Sequence, residues 1–129
     1  MSTMETAFEF AALLMTSQRQ MKLYHWQTLS HAQHKALGHA VDDIDGLIDK
    51  WVELSIGMFE RLRDIASNLN EMHVREMHRT DDPQKHAKKM ITEVMRYREK
   101  LASKMPVFVT IIDEIASVYL KLSYLLRQN

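Results

Sequence analysis

The chain has 129 residues, 46% apolar and 26% charged, with 17 basic residues balancing 17 acidic ones. Such a length supports one domain (residues 1–129) around one core, and a zero formal charge argues against strong nonspecific DNA binding. The absence of cysteine removes disulfides, thiol catalysis and cysteine-type zinc sites. No run of about 18 apolar residues suggests a spanning helix. No basic segment precedes an apolar one at the start, so no signal peptide is expected and the cytosol is the default. Three Gly and two Pro leave few breaks. The expected class is all-α, with the ten Met as core filler.

Ser2-Thr3-Met4-Glu5 fits a capping box. Helix A is expected over about 3–28, with Ala7, Ala11, Leu14, Gln18, Met21 and His25 on one face and no acid turned inward. Tyr24 and Trp26 are read as packing residues, and His25 as facing the interior or its rim. Ser30 is the expected N-cap of helix B, which the pattern carries from about 31 to the low 60s, or on to an end in the Ile65 to Asn70 region. A link this short makes A and B antiparallel. Helix B shows an apolar stripe (Leu37, Val41, Ile44, Ile48, Trp51, Ser55, Met58, Leu62, Ile65, Leu69) at steps of three and four.

Residues 67–82 are polar and read as a long crossover, with a short helix at Glu71 to His78 and with His73 and His78 solvated. Such a crossover lets the second and third long helices run parallel. Asp82-Pro83 is an N-cap with Pro at the first helical position. Helix C follows to about Ser103, with Ala87, Met90, Ile91, Val94, Tyr97 and Leu101 inward. Its outer face is basic and is read as a solvated face. Helix D is expected over 107–127, with Phe108, Ile111, Ile112, Ile115, Tyr119, Leu122 and Leu126 as its stripe and Asp113 and Glu114 exposed.

Beside the apolar stripe of helix B runs a second one: His34, Gly38, Asp42, Asp45, Asp49 and Glu53. These are metal-ligand types, and without cysteine a His and carboxylate set suits iron, manganese or zinc. A solvated acidic face gives the same pattern. His34 and Asp49 lie roughly 22 Å apart along one helix and cannot share an ion within a chain. If two copies pack antiparallel about a two-fold near residue 42, residues whose numbers sum to about 84 become neighbours. His34 then meets Asp49 of a second copy. Gly38 and Gly46 bracket the same centre and suggest close backbone approach. Asp49 and Glu53, at i and i+4, reach one ion together.

His25-Trp26-Gln27, a short connector, His34, and Asp49-x-x-x-Glu53 together resemble the mini-ferritins called DNA-binding proteins from starved cells (Dps). The resemblance is specific over residues 24–53, and His-Trp-Gln-Thr and His-Lys-Ala here are similar to small phage-encoded proteins as well. It implies a ferritin-like four-helix bundle with a long B–C crossover and a cytoplasmic dodecameric cage, paired through helix B. It also implies Fe(II) oxidation by peroxide or dioxygen, with ferric iron stored inside. The implied site takes His25 and His34 from one chain and Asp49 and Glu53 from the other, with zinc or manganese as replacements for iron. The family's Asp ligand four residues after the second His falls on Gly38, and His39 and Asp42 are the candidates to replace it. The alternative is a non-catalytic helical oligomer, structural or protein-binding, with a degenerate or structural metal site. No Glu-x-x-His occurs, so an intrachain di-iron centre is not expected.

Overall fold

The computed structural model describes residues 1–78 and 81–128; Arg79 and Thr80, within the expected crossover, and Asn129 lie outside them. The described residues form α1 (Thr3–Gln27), α2 (His31–Phe59), α3 (Ile65–Asn70), α4 (Pro83–Leu101), a 3₁₀ turn (Pro106–Phe108) and α5 (Val109–Leu126). No strand occurs among them. No helix is long and apolar enough to cross a membrane.

The starts of three long helices carry the caps that their sequences announce. Ser2 accepts from the Glu5 amide at 3.1 Å, Ser30 from Gln33 at 3.2 Å, and Asp82 from Gln84 at 3.0 Å. Each satisfies one of the four amides a helix start leaves without a partner. The six stripe residues of α5, and Phe108 in the turn that precedes it, are buried. Asp113 lies outside and pairs with Arg98 of α4.

Cross-helix contacts set the directions. Ser17 of α1 faces His86 of α4, and Glu9 accepts from the Tyr97 hydroxyl two turns on, so α1 and α4 run antiparallel. Tyr119 of α5 also meets Ser17. The α1–α2 link is only Thr28 to Ser30, so α2 runs back down α1 and parallel to α4. α1 packs on α2 and α4, and α5 packs on both of them as well. One aromatic from each quarter joins in the middle: Tyr97 lies against Phe10, Phe10 against Trp51, and Trp51 against Phe108.

Several expectations are corrected. α2 stops at Phe59, where Glu60 takes the left-handed conformation (φ 61°) and its amide still bonds Ile56. Met58 and Leu62 are exposed, so the stripe loses its core before the pattern ends. The short crossover helix sits at Ile65–Asn70, not at 71–78. Residues 72–78 run extended up α1 instead, because α1 satisfies their backbone. Gln20 accepts from the Arg75 amide at 3.0 Å and donates to its carbonyl at 2.7 Å, and Gln27 accepts from the Met77 amide at 2.6 Å. Helix formation would forfeit these bonds. Trp26 is 64% exposed under the Lys22 ammonium rather than packed. Glu9 is an inward acid of α1, held by Tyr97.

Candidate functional site

The α1–α2 hairpin brings His25 and His34 face to face, with ring centroids 3.9 Å apart and planes 17° from parallel. Each ring bonds the other's backbone. His25 Nδ1 donates to the His34 carbonyl at 2.6 Å, and His34 Nδ1 donates to the His25 carbonyl at 2.7 Å. A carbonyl only accepts, so both protons sit on Nδ1 and both Nε2 atoms keep their lone pairs in the neutral rings. That is the tautomer in which imidazole ligates a metal, and a carbonyl partner on the other nitrogen is the usual way to hold it.

Local backbone explains why both carbonyls are available. His25 lies in the last turn of α1, where carbonyls have no intrahelical partner. The His34 carbonyl is inside α2 and points at residue 38. Residue 38 is glycine, and a Cβ there would come 2.9 Å from His25 Cε1 and 3.2 Å from Nδ1. The missing side chain is the seat of the His25 ring. The close approach expected of Gly38 is therefore made within the chain, while Gly46 has nothing within 4 Å.

His31 extends the stack, its ring 6.5 Å from His34 and 18° from parallel. The His31/His34 spacing of i, i+3 at a helix start was the available signal for it. Asp42, Asp49 and Glu53 are exposed on α2. Asp49 and Glu53 are four and five turns below His34, roughly 22 and 28 Å away. His39 lines a shallow dent with Asp43 and Lys121 on the α5 side of α2, whereas His25 lies on the α1 side. Among the described residues no three His, Asp or Glu side chains of one chain gather closely enough to hold a metal ion.

A second polar cluster had no counterpart in the sequence reading. Ser17 Oγ lies 2.6 Å from the Tyr119 hydroxyl and 2.8 Å from His86 Nε2. Tyr119 is fully buried, and Ser17 is its only hydrogen-bond partner among the described residues. Its proton must go to Ser17. Ser17 then donates to His86 Nε2, and His86 carries its proton on Nδ1. Burial, aided by the Lys89 ammonium, lowers the His86 pKa to about 4. The signal was its place in α4, one residue before Ala87 on the inward stripe.

That depression has a stability consequence. The folded state binds a proton less readily than the unfolded chain, so stability is complete above about pH 6.5 and drains as pH falls towards 4. The loss reaches about 3 kcal/mol. Urea unfolding at pH 7 and pH 4.5 should show a fall flattened by roughly that amount in His86→Gln.

A family model described as a family of unknown function (DUF5856) matches residues 25–126. That span begins at His25 and takes in the α1–α2 turn, both stacked imidazoles, the acidic face of α2 and the whole of α4. No curated protein and no solved structure matches the chain.

Proposed function

We propose, from the premise that the chain belongs to the DUF5856 family of unknown function and from the residues themselves, that it is an iron-binding mini-ferritin. It oxidises Fe(II) at sites shared between two chains and stores or detoxifies the product in a hollow oligomer. The observation that carries this reading is the reciprocal His25–His34 clamp, which fixes two imidazoles in the ligating tautomer at one end of α2. The two nitrogens do not complete a site, and the carboxylates of the same pattern, Asp49 and Glu53, lie exposed too far down the same helix. An antiparallel pairing of two α2 helices supplies them from the second copy, twice over. The parallel course of α2 and α4, with an extended crossover between them, supports a ferritin-like connectivity. In the reaction two Fe(II) supply the two electrons that, with two protons, reduce one hydrogen peroxide to two waters.

One observation favours the second reading, a non-catalytic helical oligomer with a structural metal. Where the Dps pattern has an Asp ligand, this chain has Gly38, and the space is taken by the His25 ring.

Iron oxidation by peroxide, followed at the ferric absorbance on protein of known mass, separates the two. Uptake by an assembly near twelve 15.2 kDa chains, about 180 kDa, supports the mini-ferritin. No uptake by a dimer supports the structural reading. Asp49→Ala/Glu53→Ala should abolish iron binding and leave the fold intact, since both side chains are exposed. Undiminished iron binding by that double variant would remove the carboxylates from the site.

A further inference from the structure

A cavity of about 440 Å³ opens between α1, the extended segment at 73–75 and the first turns of α4. Its volume lies within the usual range for small-molecule sites. None of the residues proposed for iron lines it.

Its polar groups divide into those already committed and those left over. Asp81 accepts from the Arg75 guanidinium at 2.9 and 3.0 Å and from the His78 amide at 2.6 Å. Asp82 caps α4. Both wall carboxylates are thus occupied, and Arg75 is paired. Lys85 and Lys89 form no ion pair among the described residues, which leaves the wall with a surplus of positive charge. Two donors are left over as well. Tyr24 is 6% exposed and lines the cavity, yet its hydroxyl has no hydrogen bond among the described residues. The hydroxyl opens on the cavity, so a donor held in place by a buried ring is left for water or a ligand. His86 lines the same wall. With Nε2 bonded to Ser17, it offers Nδ1–H, likewise without a partner among the described residues. The Tyr24 and His86 rings meet nearly edge to face, centroids 6.0 Å apart, so the two donors belong to one packed unit. Leu13 and Met90 add an apolar wall.

We infer that this cavity binds a small organic anion, with a carboxylate or phosphate head received by Tyr24 Oη–H, His86 Nδ1–H and the ammonium groups of Lys85 and Lys89. Its apolar body lies against Leu13 and Met90. Donors fixed by packing and cations without internal partners match an oxyanion, whereas neutral or cationic ligands leave the lysines uncompensated. Because His86 is locked through Ser17 to Tyr119, the head group is read by a preset donor rather than by a mobile side chain.

The test is titration of the full chain with phenyl phosphate, benzoate, inorganic phosphate and benzyl alcohol, followed by calorimetry and by the His86 ring signals in NMR. Saturable binding of phenyl phosphate or benzoate that moves the His86 signals supports the site, and the tighter of the two names the head group. Inorganic phosphate should bind at least tenfold more weakly, and benzyl alcohol not measurably. Tyr24→Phe and Lys85→Ala/Lys89→Ala should each weaken the organic anion at least tenfold, while Lys104→Ala should not. Three results overturn the proposal: no saturable binding of either organic anion, equal binding of benzyl alcohol, or undiminished binding by both variants while circular dichroism shows them folded.

Discussion

Gly38→Asp should bind metal at least tenfold more weakly than the parent and lose about 1–2 kcal/mol of stability, although it restores the acid that the Dps pattern has at this place. The new Cβ would stand 2.9 Å from His25 Cε1, inside contact distance, and on the other side lies the helix itself. The ring must shift off this seat. With it go the His25 bond to the His34 carbonyl and the alignment of the return bond, each worth about 1 kcal/mol net. Asp is a better helix former than Gly by a few tenths of a kcal/mol, too little to offset two bonds. The gained carboxylate comes at the loss of an imidazole.

Gly46 supplies the contrast. It is exposed, with open space at its Cβ position. In an isolated chain Gly46→Ala should stabilise α2 by about 0.5–1 kcal/mol. If two α2 helices cross near residue 42, the same methyl enters the partner's backbone and the oligomer weakens. Chemical unfolding of both variants beside light scattering therefore reads the seat of His25 and the two-fold contact in one experiment. Faster iron oxidation by Gly38→Asp would exclude His25 as a ligand.

These two glycines show where sequence reasoning reaches and where it stops. The pattern marks both as places of close approach. It does not say that one neighbour is an imidazole of the same chain. The long helices were legible because apolar spacing and caps are local: the α5 stripe and the three capping residues are written within a few positions of where they act. The 72–78 segment was not legible. Its conformation is decided by Gln20 and Gln27, about fifty residues away, which offer its backbone the bonds that a helix would have made internally. The end of α2 escaped for a related reason, since the apolar period continues while the core beneath it does not. His25 and His34 were singled out as ligand types, but their mutual clamp depends on a helix end and a glycine that only the hairpin brings together. His86 offered only its place beside the inward stripe of α4, because its partners, Ser17 and Tyr119, carry no chemistry-bearing signature of their own.

Trp51→Ala should cost about 4 kcal/mol, the largest single loss expected in the molecule, a large share of the 5–15 kcal/mol that holds a typical domain folded. The indole is fully buried, meets Phe10 at 5.0 Å and Phe108 at 5.1 Å, both nearly edge to face, and donates to the Ala7 carbonyl at 2.9 Å. It is where α1, α2 and the turn into α5 touch one another, so truncation opens a cavity that no single helix closes by shifting. Trp51→Phe should cost only about 1–2 kcal/mol, because most of the volume remains and the Ala7 carbonyl sits within α1, where a helical amide still reaches it. Trp51 lies 17 residues below His34, roughly 25 Å along α2. Effects at such separations add rather than couple. Urea unfolding should therefore show the full loss, while the His25 and His34 ring signals of Trp51→Ala in NMR, measured where the variant remains native, should match those of the parent. Displaced ring signals would mean that the hairpin end depends on the far core, and that the His25–His34 clamp is not held by its own glycine and helix end.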